Sequence, residues 1–246
     1  MTEEAVGLMP ESAQPLPGLA SRAIGVFTSP KALFEKLARN PKIAGMLVLV
    51  TLLGSLLGPG IFMMTDKGKQ AWLDTAIQQS ERRSNQPVTD QQQQTLQKIS
   101  QFVGISAVGG SLVVFPVVLL IEAGVLYLIF TFGTGGTATF KQVMAVVTHT
   151  GMIGVLGVIF TTVMIFVQGT LPTTGVSPAN LGALLPMLEP SWLTRFIGMI
   201  DLFRVWAFIT LSIGLSVVYR KKTSTIAIIV FSIYFVIIAG IAAIFT

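Results

Sequence analysis

Four ionisable residues lie within long apolar stretches of this chain: Glu122, His149, Asp201 and Arg204. Ionisable groups are costly in lipid, and in spanning helices they usually face the bundle interior or a water-filled path. They can pair and orient helices, or they can conduct protons and ions. Both interpretations stay open, because stabilising pairs and conduction sites use the same residue types.

Depth in the membrane indicates which of these groups can meet. At about 1.5 Å per residue, Glu122 lies about 15 Å and His149 about 10 Å from the inner boundary, so these two can pair. Arg204 lies about 22 Å from that boundary, in the outer third. Asp201 and Arg204 share a helix face, so we predict that they form an ion pair. Glu122 is the alternative partner for Arg204.

Composition argues against catalysis and against a soluble protein. Of 246 residues, 52% are hydrophobic and 11% are charged, with no cysteine and one histidine. No HExxH or GxSxG motif is present, so we expect no enzymatic activity, no cofactor, no metal site and no catalytic residue. The net charge of +5 comes from basic residues beside apolar stretches, which favours anionic lipid headgroups over nucleic acid as the partner.

The elements that hold these residues are predicted to be membrane-spanning helices. Apolar stretches of sufficient length lie at about 43–64, 112–132, 143–167, 200–219 and 224–245. Small residues at helical spacing predict close helix packing, at Gly54, Gly58, Gly151, Gly154 and Gly157. Gly58-Pro59-Gly60 is expected to break or bend the first span.

Two segments outside the spans are also predicted to be helical. Ser29-Pro30 is a helix-start signal, and Leu33, Phe34 and Leu37 then share one face. This amphipathic helix suits the inner membrane surface, with its apolar face in the lipid boundary. Packing of the same face on the membrane domain is equally supported.

The polar insert at 65–100 is predicted to be an extramembrane helical hairpin. A capping box, Thr89 followed by Gln92, begins its second helix. No stop signal follows, which allows one continuous helix from Asp90 to Phe132. Residues 1–17 are predicted to be a mobile tail, and 18–246 a single membrane domain. The expected fold class is therefore an all-α integral membrane protein with five transmembrane helices, an amphipathic helix and this hairpin.

Basic residues near span ends indicate the orientation. The cluster Arg220, Lys221 and Lys222 follows the fourth span, and Lys42 precedes the first. By the positive-inside rule both lie at the cytoplasmic membrane surface. The N-terminus is then cytoplasmic and the C-terminus outside.

Four segments of the chain resemble the Yip1-domain family of five-span membrane proteins. They are VFTSPKALFEKLARNP before the first span, AGVLYLIFTFGTGGTATFKQVMAVV across the second loop, IDLFRVWAFITLSIGL in the fourth span, and the RKKTST link. Eukaryotic members act in vesicle traffic with small GTPases. This chain resembles the bacterial branch, some of whose members accompany export transporters.

The resemblance implies an architecture rather than a catalytic activity. We expect an accessory or scaffold protein of the bacterial inner membrane that binds other membrane proteins or organises the membrane, alongside an ABC-type exporter. The alternative is a transport subunit with a polar path lined by Glu122, His149, Asp201 and Arg204. Oligomeric state stays open.

Overall fold

The computed structural model describes residues 16–171, 177–185 and 191–244. Most of the predicted mobile tail, 1–17, lies outside these residues. Within the described residues, five helical segments are long and apolar enough to cross a membrane, which confirms the predicted fold class. They are Ala44–Met63, Val103–Gly133, Phe140–Gln168, Leu202–Tyr219 and Thr223–Ile244.

The described helices follow one another along the chain. They are α1 (Leu19–Thr28), α2 (Pro30–Arg39), α3 (Ala44–Leu56), α4 (Gly60–Met63), α5 (Asp66–Ser84), α6 (Asp90–Ser100), α7 (Val103–Leu128), α8 (Phe140–Gln168), α9 (Trp192–Gly198), α10 (Leu202–Tyr219) and α11 (Thr223–Ile244). A π-helical turn, Ile129–Gly133, extends α7, and a 3-10 turn, Leu181–Leu184, precedes α9.

The break predicted in the first span is confirmed. Helix α3 ends at Leu56, and α4 begins after Pro59. A Cβ at Gly58 would lie 2.7 Å from the carbonyl oxygen of Gly54, so only glycine fits where the chain turns. The first span is thus two stacked helices.

The polar insert forms the predicted helical hairpin of α5 and α6. The capping box between Thr89 and Gln92 is present at the start of α6. A single helix from Asp90 to Phe132 is wrong, because α6 ends at Ser100 and a turn precedes α7. The first turn of α7 is pressed against the end of the first span: a Cβ at Gly104 would lie 2.6 Å from the Met64 nitrogen. Tertiary packing therefore bends a stretch that carries no local stop signal.

Helix α8 is the centre of the bundle. It packs against α10, α7 and α3 within the membrane, and against α1 and α2 near its N-terminal end. Its own capping box joins Thr139 to Gln142, and the Gln142 side chain also donates a hydrogen bond of 2.7 Å to the Ala38 carbonyl at the end of α2. Helix α11 packs on α10 and α9 at the edge of the bundle.

The apolar face of α2 is turned into the protein. Leu33, Phe34 and Leu37 are 5%, 0% and 1% exposed, and α2 packs along α10. A Cβ at Gly214 of α10 would lie 3.0 Å from the Phe34 ring, so the missing side chain makes room for it. The prediction that these three side chains lie in the lipid boundary is wrong, because α10 offers a fitted surface that covers them.

Candidate intramembrane polar site

His149 is fully buried in α8, where it pairs with a residue of α1. Its Nδ1 donates a hydrogen bond of 2.7 Å to the Ala145 carbonyl one turn earlier. With Nδ1 protonated, Nε2 is left as the acceptor in the neutral ring. It lies 3.4 Å from Nη1 of Arg22. The predicted meeting of His149 with Glu122 is therefore replaced by a contact with Arg22.

Arg22 is the residue of this site that the sequence analysis missed. Its Nη1 also donates to the Lys42 carbonyl at 3.4 Å, while its Nε is buried without a hydrogen-bond partner. The available signal was that Arg22 is the one charged residue in the otherwise apolar or small sequence of α1.

Asp201 and Arg204 do not form the predicted ion pair. Asp201 is the N-cap of α10 with extended backbone angles, φ −91° and ψ 132°, so it lies before the helix and not on its face. Its carboxylate accepts the backbone N–H of Arg204 at 2.8 Å. Arg204 itself is exposed on the bundle surface. Across the described residues, the only salt bridge joins Lys69 and Asp66 at 3.6 Å on the hairpin.

Glu122 lies on α7, beside the buried stripe of Leu119, Ala123 and Leu126. It is half-buried, and its carboxylate makes no hydrogen bond or salt bridge to any described residue. The Arg204 charge on α10 nevertheless acts on it electrostatically. Of the four predicted residues, the structure thus joins Asp201 to the Arg204 backbone by a hydrogen bond, and it places Glu122 near enough to Arg204 for their charges to interact without an ion pair.

The described cavities lie away from these groups. An open cavity of about 400 Å³ lies between α2, the loop before α8 and the C-terminal end of α10. It is lined by Glu35, Ala38, Arg39, Thr137, Ala138, Gln142, Val217, Val218 and Arg220. None of the four predicted polar residues is among them. Within the described part of the chain, no cluster of three acidic or histidine side chains is placed to hold a metal ion.

The predicted packing glycines divide into two groups. A Cβ at Gly54 would lie 3.1 Å from the Phe115 ring, at Gly151 3.1 Å from Val50, and at Gly157 3.0 Å from Phe203, so all three lie at close helix contacts. Gly154 is different, because no atom lies within 4 Å of its added Cβ. Gly154 therefore packs against no helix within the described part of this chain.

The basic cluster after α10 closes the helix and holds the preceding loop. Arg220 adopts the left-handed conformation, φ 52°, that ends α10, and its side chain is exposed. The Lys221 ammonium donates a 2.8 Å hydrogen bond to the Thr134 carbonyl in the loop before α8. Lys222 is exposed. The basic cluster therefore links the α10–α11 connection to the loop before α8.

Comparison with known proteins agrees with this architecture. The sequence model of the Yip1 domain matches residues 24–244. The chain is 25% identical over 198 residues to Membrane protein YknW of Bacillus subtilis (strain 168), covering 78% of this chain and 75% of that protein. No solved structure matches significantly. Since the family match covers nearly the whole chain, this five-span membrane protein belongs to the Yip1 domain family.

Proposed function

We propose that this protein is a non-enzymatic accessory or scaffold component that binds other membrane proteins or organises the membrane, alongside an export transporter. One observation carries the proposal: within the described residues, the four predicted polar groups do not form one connected series, and none of them lines the open cavity beside α2. His149 is enclosed with Arg22, Asp201 caps α10, and Arg204 is exposed on the bundle surface.

A transport path needs polar groups in succession from one side of the membrane to the other. His149 is fully buried in α8, and its hydrogen-bond partners are Arg22 and Ala145 rather than Glu122. Both charged groups of the outer half lie at the edge of the bundle or at a helix end. Structural roles account for His149, which contacts Arg22, and for Asp201, which caps α10, without conduction.

We propose residence in the bacterial inner membrane, with a cytoplasmic N-terminus and an external C-terminus. The basic bias of the predicted inner segments supports this orientation. Because the chain has no cysteine, Ser84→Cys and Ser224→Cys provide single labelling sites, and both serines are exposed. An impermeant maleimide should label position 84 from outside and position 224 only after the cytoplasmic side is opened. The reverse pattern would invert the topology.

The experiment for the scaffold function is capture of the full chain from inner membranes in mild detergent, followed by mass spectrometry. We expect a reproducible set of membrane proteins that includes an ABC-type exporter. The matched control is the same membranes carrying an untagged chain. Recovery of the chain without any specific partner would overturn the proposal.

A transport subunit is the second candidate, favoured by the electrostatic interaction between Glu122 and Arg204 on different helices. Proteoliposomes with an internal pH or ion indicator separate the two functions. The scaffold proposal predicts no flux above empty vesicles. Flux that is lost in Glu122→Gln would establish transport instead.

A further inference from the structure

A groove runs along one side of the bundle between α7 and α10. Both helices pack on α8, yet they scarcely contact each other. On α8, Gly151 lies against Leu119 of α7 and Gly157 against Phe203 of α10. Gly154, midway between these two contacts, is exposed and has open space where a side chain would project. Glu122 of α7 is half-buried, Arg204 of α10 is exposed, and the two lie near enough for their charges to interact. We call Glu122, Gly154, Arg204 and the space between them the α7/α10 groove.

The three residues lie at similar depth. Counted along each helix from its inner end, Glu122, Gly154 and Arg204 are about 17, 21 and 22 Å deep, a spread of about one helical turn. The groove therefore presents an acid and a base at one level of the membrane, separated by a glycine floor.

Neither charged side chain has its own bonding partner within the described residues. The Glu122 carboxylate and the Arg204 guanidinium make no hydrogen bond, and no salt bridge includes either. Their opposite charges attract across the groove, but they stay beyond salt-bridge distance. Ionisable groups within spans are normally paired or face the bundle interior. In the described part of the chain, Glu122 and Arg204 therefore lack the bonding partners that such groups usually have.

We propose that a second copy of this chain fills the groove, forming a two-fold dimer in which Glu122 of each copy pairs with Arg204 of the other. A two-fold axis along the membrane normal leaves depth unchanged, so an acid and a base at one level match reciprocally. The α7/α10 groove is thus complementary in charge to itself. This proposal goes beyond the scaffold function and does not depend on it.

The packing of α7 supports this occupant. In the most apolar 18 residues of the span that contains α7, only 17% of the residues are buried. The corresponding buried share in the other four spans is 28% to 44%. Beside Glu122, α7 carries an exposed ridge of Val114, Val118, Ile121 and Val125. Helix association in lipid relies on close packing at small residues and on polar contacts between helices. Each copy's ridge can lie over the other's Gly154 while the charges meet.

The test is charge exchange between copies, with two differently tagged chains co-expressed and co-purified in mild detergent. Glu122→Arg alone and Arg204→Glu alone place like charges opposite each other, and we expect at least a tenfold loss of self-capture. Glu122→Arg mixed with Arg204→Glu restores both pairs between copies, so we expect capture close to wild type. The double exchange in one chain should also self-associate. Self-capture by both single variants, or no capture in the mixture, would overturn the dimer.

Cross-linking keeps the proposal testable if the exchanged charges prevent folding. A Gly154→Cys chain mixed with a Val118→Cys chain should give a cross-linked dimer with a short bis-maleimide. The matched control is Gly154→Cys mixed with Val236→Cys, because Val236 is 72% exposed but lies on α11. Absence of the first product, equal yields from both pairs, or cross-linking of Gly154→Cys to a different membrane protein would each refute the second copy as occupant.

Discussion

Truncating Phe34 to alanine should destabilise the whole membrane domain, although Phe34 lies outside the spans. Its side chain is fully buried between α2 and α10, against Gly214. Large-to-small changes of fully buried aromatic residues cost about 3–5 kcal/mol, through lost contacts and the cavity that remains. For a chain of this size that corresponds to a fall in melting temperature on the order of 10 °C.

The assay is thermal stability in mild detergent, measured as the monodisperse fraction that survives heating. Phe132→Ala is the matched control, because Phe132 is the same residue type but is 75% exposed. We expect the control to lose under about 1 kcal/mol. Equal stability losses for the two variants would refute the packing argument and return the α2 face to the lipid boundary.

The remaining predictions concern the residues that hold the start of α10. Asp201→Ala removes an N-cap acceptor and should cost about 1 kcal/mol, whereas Asp201→Asn should retain most of the stability, since asparagine also caps. Because the accepted hydrogen is on the Arg204 backbone, losses from Asp201→Ala and Arg204→Leu should add in a double-mutant cycle of thermal stability; a coupling above about 0.5 kcal/mol would indicate an ion pair instead. Tyr234→Phe removes a 2.7 Å hydrogen bond from the hydroxyl to the Met199 carbonyl, which ties α11 to the segment before α10. We expect a loss of about 1 kcal/mol in the same assay, and unchanged stability would show that this bond contributes nothing.

The lengths of the apolar stretches predicted the five spans. A helix is the structure in which such a stretch can satisfy all its backbone hydrogen bonds within lipid. The limits of the second span were harder to predict. It begins at Val103, earlier than the predicted 112, since the intervening residues include glycine and serine and weaken the apolar signal. The break after α6 has no local signal, because it arises from contact between Gly104 and the end of the first span.

The face that α2 buries could be read from sequence, but the surface that covers it could not. Leu33, Phe34 and Leu37 form an apolar stripe whether they meet lipid or protein. The deciding residue is Gly214, far along the chain, whose missing side chain accepts the Phe34 ring. Within α10 that glycine looks like any other small residue of a spanning helix, so the contact emerges only with the tertiary structure.

The pairing of the polar groups shows why depth alone was insufficient. Residue counting gives one coordinate, along the membrane normal, and Glu122 and His149 agree in that coordinate to within a helical turn. The second coordinate is the direction in which each side chain leaves its helix. His149 leaves α8 toward α1 and meets Arg22, whereas Gly151, half a turn further on, faces α3 and α7. Glu122 lies on α7, where no hydrogen bond or salt bridge joins its carboxylate to a described residue. His149 has Arg22 of α1 as its neighbour, whereas the charge that acts on Glu122 is that of Arg204 on α10. Because these surroundings are separate, substituting one residue should leave the partner of the other unchanged.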